Sequence, residues 1–493
     1  MTIFANDSKQ NSEGILMRVP VAGDGPTFAT YEEVLRGLFC RELAQYTPDE
    51  MLKGNILEDV VFQLHGAQHR ERRRVENPLF RRETVVHFLQ QRFPEILERT
   101  LGAILDSGER DVIRIGQMLT VVLSAEISGV DVPAGDLEAI QRLVDLERVF
   151  AEGTGIMDTT YDRGELLRMV RDAFQSFDRE FFAGSVARRK ELIASDAMPH
   201  EGGDLLSVLL MSQGQLEMDY ALLMRETAFF LESGSDTSSR TLANTLNHLF
   251  EWRNAHPDRW NAICASGAVL DFLERCIHEA LRLNPIVPVA RRIATEDIVL
   301  NGVDVEEGTV VYLDAMAANR DPNVFGSNAD TFDPERTLPQ GIQGFGHGFS
   351  GGMHACIGRV LAIGAPATSS GGPKLYGQTT LMLHALVERG VKKDPLRKPV
   401  QDVSSHWSRI GIFPVTFTDD LADSAAPNGP HVSVDESRCF GSGDCELLMP
   451  DIFHVGKEGV AEVDAASLSR IDDSSIANVQ ARCPSGAIHL TET

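Results

Sequence analysis

The chain has 493 residues, 43% of them hydrophobic and 24% charged, with a formal net charge of −26. That length exceeds an ordinary single domain and suffices for one large core plus a smaller unit, while the acidic balance disfavours nucleic acid and anionic membranes as partners. No stretch approaches about eighteen uninterrupted apolar residues, and the opening MTIFANDSKQNSEG lacks an apolar core of signal-peptide length, so a soluble, cytoplasmic protein is expected with no membrane partner.

In chain order, residues 1–26 read as a flexible N-terminal segment. From 27 to 282 the segments EEVLRGLFCRELAQY, TVVHFLQQRFPEILERTLGAIL, LLRMVRDAFQSFDREFF and MDYALLMRETAFFLESGSDTSSRTLANTLNHLFEW repeat apolar residues at three and four, which predicts helices. Strand patterning follows in DIVLNGVDVEEGTVVYLDAMA, where apolar and polar residues alternate around a glycine turn, and returns in RIGIFPVTFT. GAPATSSGGPK at 364–374 is a low-complexity patch whose Pro366 and glycines stop a helix. The acidic, Pro- and Gly-containing run at 419–430 reads as a linker. The expected organisation is a mainly α domain with small β-sheets over 27–418 and a small α+β domain over 431–493. The latter holds eleven Asp/Glu against four Lys/Arg, whereas HRERRRVENPLFRR at 69–82 is strongly basic.

Seven cysteines is an odd number, which argues against a disulfide framework and for metal ligation by some of them. Cys40, Cys264 and Cys276 lie in apolar, helix-like contexts and read as plain buried thiols. Cys356 stands in the glycine-rich FSGGMHACIG. Cys439 and Cys445 share CFGSGDC, with five residues between them, and Cys483 opens CPSGAI. A zinc site in the tail would need His431, His454 or His489 as a fourth ligand at unusual spacing.

FSGGMHACIGRVLA resembles the haem-binding loop of the cytochromes P450, and EALR (Glu279, Arg282) and ANRDPNVFGSNADTFDPER at 318–336 follow that family's order and spacing. The resemblance covers roughly 27–418. It implies haem b with Cys356 as axial thiolate, Phe349 shielding it, Gly352 allowing a tight turn, Gly358 completing the loop and His354 near a haem propionate. Glu279 and Arg282 would brace the haem-side core. His69 and Arg73, four apart, with Arg292 rather than its neighbour Arg291, match the propionate ligands. SGSDTS matches the oxygen-activation motif: Gly234 would let the helix open, Thr237 would hydrogen-bond the oxygen ligand, and Asp236 would feed protons. Taken locally, the same cluster also reads as a helix-ending cap. Ser233 stands where Ala or Gly is usual, and Ser350 where a Gly commonly follows the loop Phe. The helix after the loop, usually long, is expected to stop early.

The tail resembles single-cluster bacterial ferredoxins. Cys439, Cys445 and Cys483 would hold the cluster. Ser442 stands where a four-iron protein usually has another cysteine, which implies [3Fe–4S], with [4Fe–4S] the alternative. The resemblances together imply a haem-thiolate monooxygenase that inserts one atom of O2 into an apolar small-molecule substrate by hydroxylation or O- or N-dealkylation. An external NAD(P)H-dependent FAD ferredoxin reductase would supply electrons, since no G-x-G-x-x-G unit follows a strand. The alternatives are a peroxide-using haem-thiolate enzyme or a haem/iron–sulfur redox sensor. A linker of about a dozen residues reaches roughly 20 Å and holds the ferredoxin at an effective concentration on the order of millimolar. The basic run Arg70, Arg72, Arg74, Arg81 and Arg82 is expected to dock the acidic tail.

Overall fold

The structure is a computed structural model. It describes residues 24–418 except 134, 196, 198–202 and 368–373, and residues 431–491 except 436–437, 440–443, 451, 457–459, 464–478, 481–482, 484 and 486. Nearly all of the expected N-terminal segment, the linker 419–430 and Ser442 therefore lie outside the described residues. The chain divides into two compact units, one with the described residues up to Glu388 and Lys393–Val415, the other with Arg389–Lys392 and those from Thr416 onward.

The β structure of the large unit is small. Strands β1 (Thr27–Phe28), β2 (Leu43–Gln45), β3 (Val289–Ala294) and β6 (Val310–Asp314) form one sheet in the order β1-β6-β3-β2, while β4 (Ile298–Leu300) and β5 (Val303–Val305) make a hairpin. Helix α1 (Tyr31–Phe39) begins on a capping box between Thr30 and Glu33 and lays Val34 and Leu38 against Phe28, Leu43, Val311 and Leu313. The helix expected over 32–46 thus ends at Phe39. Leu43–Gln45 instead pairs antiparallel with Ala294–Arg292, so strand pairing supplied by a distant segment overrides the local helical pattern.

Five further helices carry the site: α2 (Gly66–Glu76), α3 (Val112–Ser128), α4 (Leu137–Thr154), α5 (Tyr220–Ala255) and α6 (Val269–Leu283). Side-chain oxygens of Asp111, Asp136 and Asp219 accept from first-turn amides of α3, α4 and α5, satisfying donors that a helix leaves open. Helix α5 is 36 residues long and packs most extensively on α3. The contact is made by small residues. A Cβ added to Gly116 would come within 3.2 Å of Ser239 Cβ, one on Gly234 within 2.6 Å of Ser124 Oγ, and Thr120 Oγ1 lies 3.0 Å from Ser235 Oγ. Helix α5 runs unbroken through Gly234, so that glycine serves close approach to α3 rather than the expected local opening. Among the described residues no helix is long and apolar enough to cross a membrane.

After the cysteine loop, α7 (Arg359–Ile363) stops at Gly364, whose φ is 83°. The strands β7 (Gly364–Ala365) and β8 (Leu375–Tyr376) then pair antiparallel before α8 (Gln378–Glu388) begins, so the early stop expected from Pro366 and the glycines is what the backbone does.

The small unit pairs β9 (His431–Val434) antiparallel with β12 (Ile488–Thr491) and β10 (Phe453–Val455) with β11 (Ala461–Val463), with helix α9 over Asp444–Leu448. Its core gathers Val432, Ile452, Phe453, Ala461, Val479 and Ile488.

Arg282 on α6 has no exposed surface. Its guanidinium donates to Glu279 Oε2 and Oε1 at 2.7 and 2.6 Å and to the carbonyls of Asn319 and Ala329 at 2.7 and 2.6 Å. Arg336 donates to the same Glu279 Oε1 at 3.1 and 3.0 Å. Removing one member leaves a buried charge and several carbonyls unpaired, so Arg282→Met is expected to cost about 3–5 kcal/mol in denaturant unfolding.

Candidate functional site

The cysteine loop turns through three left-handed residues, Gly346 (φ 56°), Ser350 (φ 56°) and Gly352 (φ 60°). A Cβ on Gly346 would lie 2.1 Å from Asn319 Oδ1, and one on Gly352 would lie 2.3 Å from the Leu38 carbonyl oxygen, so both positions exclude a side chain. Ser350 adopts the same conformation with a side chain in place, at a cost of about 1–2 kcal/mol. This is the physical reason a glycine suits the place where the sequence departs from the family. The turn brings Cys356 N within 3.0 Å of the Phe349 carbonyl, and Phe349 stands edge-on to Phe345 with centroids 5.1 Å apart. Cys356 has accessible surface but lies deep among protein groups. Burial pushes its thiol up, while the N–H groups of Gly358 and Arg359 and the charges of Arg73 and Arg359 favour the thiolate.

Cations and histidines surround this loop. Arg73 on α2 donates to the Ala355 carbonyl at 3.0 Å and to His69 Nε2 at 3.3 Å, and the His69 and His354 rings lie 4.6 Å apart. Burial first, and then neighbouring arginines, push His69 down to about 4 and His354 to about 3. Of the two candidate arginines on β3, Arg291 is held by Asp158 through two contacts of 2.9 and 2.5 Å. Arg292 is buried, its Nη1 donates to the Arg291 carbonyl at 3.0 Å, and burial lowers it to about 10. His65 Nδ1, His69 Nδ1 and His354 Nε2 are buried with no hydrogen-bond partner. Buried ring nitrogens without partners beside two arginines fit an anionic group, and the two carboxylates of a haem are such a group.

On α5, Thr237 Oγ1 donates to the Ser233 carbonyl at 2.6 Å, and Asp236 is gripped by Arg240, with Nε at 3.0 Å from Oδ1 and Nη2 at 2.6 Å from Oδ2. The cluster sits mid-helix, so the local reading of SGSDTS as a helix-ending cap is not realised. Arg72 departs from its expected docking role. It is buried and forms an ion pair with Glu226 on α5, beside Glu76, whose carboxyl is pushed well up by burial. Arg70, Arg74 and Arg81 are exposed.

In the small unit Cys439, Cys445 and Cys483 join one core cluster. The Ala461 N–H donates to Cys439 Sγ at 3.4 Å. Cys483 Sγ lies 3.3 Å from Ser485 Oγ, and together with the amides of Ala487, Ser485 and Ile488 that hydroxyl outweighs burial and lowers the thiol. Three thiols, one with several donors aimed at it, are the donor set of an iron–sulfur cluster, although among the described residues no three potential ligands stand at metal-binding spacing. His454 faces solvent and Glu446 rather than the cysteines.

Sequence reasoning missed Arg336 and Asn319, which complete the Glu279–Arg282 network, and Glu147 and Glu232, which are buried beside Asp236. Arg336 lies within the quoted DPER pattern, which could have flagged it. The two glutamates carry no signal beyond an acid among apolar helix residues.

A cytochrome P450 family model matches residues 137–364, and a 4Fe-4S single cluster domain model matches 432–490. Luteothin monooxygenase of Streptomyces thioluteus is 27% identical over 365 residues, 71% of this chain and 80% of that protein. Pulcherriminic acid synthase of Bacillus subtilis is 25% identical over 314 residues, 62% of this chain and 70% of that protein. The crystal structure of CalO2 superposes with a TM-score of 0.60 at 20% identity, covering 84% of this chain and 93% of that one. P450BioI, solved with an acyl carrier protein ligated to hexadec-9Z-enoic acid, superposes at 0.60 and 22% identity over 80% of this chain and 91% of that one.

Two substitutions check this geometry. Ser350→Gly is expected to stabilise the folded large unit by up to about 1 kcal/mol in thermal unfolding, by relieving the left-handed strain. Arg292→Gln is expected to lower the haem-to-protein absorbance ratio of the purified chain, whereas Arg291→Gln leaves that ratio unchanged and loses only its bond to Asp158. With the cysteine loop, its cationic surroundings and both family matches agreeing, the chain carries a cytochrome P450 domain, matched over residues 137–364, followed by a single-cluster iron–sulfur domain.

Proposed function

We propose that the chain inserts one oxygen atom from dioxygen into an apolar organic substrate, by hydroxylation or O- or N-dealkylation. Electrons come from an external NAD(P)H-dependent FAD reductase and pass through the chain's own iron–sulfur domain. The observation that carries the reading is the convergence on Cys356 of amide donors to sulfur with the surrounding set His69, Arg73, Arg292 and His354. When bound, haem supplies a thiolate-ligated iron suited to cleaving the O–O bond. His69, Arg73, Arg292 and His354 would hold its carboxylates, and Phe349, Gly352 and Gly358 shape the loop around the sulfur. Thr237 and Asp236 manage protons on the oxygen side, and Glu279 with Arg282 keeps the loop's foundation rigid.

In the tail Cys439, Cys445 and Cys483 would hold the cluster. Three thiolates with Ser442 in the remaining place support [3Fe–4S], although the matching family is described by a 4Fe-4S cluster. The composition supports a cytoplasmic setting. The exposed Arg70, Arg74 and Arg81, with the half-buried Arg82, are the residues of the basic run that remain to attract the acidic tail, since Arg72 is committed to Glu226.

The purified chain, reduced and exposed to carbon monoxide, is expected to show the absorption of a thiolate-ligated haem, and Cys356→Ser to abolish it. Its oxidised form is expected to give the paramagnetic signal of a three-iron cluster. A cluster that is silent when oxidised and paramagnetic when reduced would mean four irons instead. Reversing charge at Arg70 and Arg74 is expected to slow cluster-to-haem electron transfer at low salt and to change it little at high salt, where exposed charges are screened.

A further inference from the structure

Helix α5 carries the sequence Glu232-Ser233-Gly234-Ser235-Asp236-Thr237, in which an acid followed by a hydroxyl residue occurs twice, four residues apart and therefore on one helix face. The structure joins the two pairs. The Ser233 hydroxyl donates to Glu232 Oε2 over 3.1 Å, and the Ser233 carbonyl accepts the Thr237 hydroxyl at 2.6 Å. Their acids stand in opposite electrostatic positions. Both oxygens of Asp236 are occupied by the Arg240 guanidinium, and Arg409 lies close enough to feel its charge. Glu232 is buried, and its hydrogen bonds run to hydroxyls, those of Ser233 and of Thr154 at the end of α4. Beside it on α4 is Glu147, with no exposed surface and no partner for either carboxyl oxygen.

We propose that Glu232 and Ser233 form a second acid–hydroxyl pair that delivers protons to the reduced dioxygen. This rests on the monooxygenase reading above, which supplies the dioxygen and electrons. Asp236 has both carboxyl oxygens engaged by one guanidinium, which leaves room on this helix for a second acid in proton delivery. Glu232 is suited to it, because burial, and then the charge of Asp236, raise its carboxyl to about 8, so that it is protonated at neutral pH. The charged groups facing it are Glu147 on α4 and Asp236 and Arg240 on α5; Arg148 faces Glu147, and Arg409, paired with Glu152 and Asp402, lies near Asp236. A proton leaves the Glu232 carboxyl for the Ser233 oxygen, and the Ser233 hydroxyl gives up its own to the reduced dioxygen. Glu232, left as a carboxylate, regains its proton from bulk water between turnovers. Ser233, at a position where the family usually has a residue without a hydroxyl, is thereby explained as a relay atom.

The test uses the full holoprotein with NADPH and a purified ferredoxin reductase, without substrate, and measures how consumed dioxygen divides between hydrogen peroxide and water. Glu232→Gln and Ser233→Ala are each expected to slow water formation about ten-fold or more and to raise the peroxide share correspondingly. An infrared pH titration of the wild type should show a buried carboxyl band that disappears as pH rises through about 8, and Glu232→Gln should lack it. If Glu232→Gln fails to fold, Ser233→Ala carries the kinetic arm. Wild-type peroxide shares in both variants, alongside a raised share in Asp236→Asn, would overturn the second pair and leave the monooxygenase reading standing. Unchanged shares in all three variants would overturn both the pair and the assignment of α5 as the oxygen-side helix.

Discussion

The buried guanidinium of Arg282 is the constraint on which the Cys356 loop depends. A charge removed from water costs several kcal/mol unless it is paired and its remaining donors are filled, and here Glu279 and the carbonyls of Asn319 and Ala329 fill them. Meeting that demand folds residues 319–336 back onto α6. Asn319 then reaches both ways: its Nδ2 donates to the Arg282 carbonyl at 3.0 Å, and its Oδ1 accepts from His347 N at 2.8 Å. The start of the cysteine loop is thus indexed to α6 through one amide side chain, and Gly346 must lack a Cβ for that amide to fit. The position of Cys356, ten residues further on, inherits this registration.

A second constraint sets the opposite side. Helices α3 and α5 approach through Gly116, Thr120, Ser124, Ser235 and Ser239, so α5 can neither slide nor rotate without driving Cβ atoms together. The Glu232–Ser233 and Asp236–Thr237 pairs consequently ride on a helix seated tightly against α3. The buried acids Glu226 and Glu232 mark where this helix meets α2 and α4, and burial raises both carboxyls.

Where chemistry demands particular residues at fixed spacing, the sequence was readable. The glycine-rich cysteine loop, the acid and arginine one turn apart on α6, and the acid–threonine step on α5 each stand out because local geometry forces their order. The helix boundary near Phe39 was not readable, because the partner that turns Leu43–Gln45 into a strand lies about 250 residues away. The fate of Arg72 was equally hidden. A run of arginines looks uniformly exposed until Glu226, far along the chain, claims one of them. The same long-range packing concealed Glu147, whose significance comes only from the acids of α5 packed against it.

The glycines at the base of the β7–β8 hairpin close a backbone pinch. A Cβ on Gly364 would lie 2.0 Å from the Leu375 carbonyl oxygen, and one on Gly377 would lie 2.4 Å from that of Ala362. Next to the pinch, Lys374 reaches Glu274 at 2.7 Å and Tyr376 donates to Asp271 at 2.9 Å, pinning the hairpin's return strand to α6. The cytochrome P450 family match ends at Gly364, at this same point. A loop whose two ends are clamped together transmits little of its own length or sequence to α7 and α8. It makes this part of the chain a natural port for grafted sequence, such as an affinity handle or a reporter, with the helices on either side holding their register.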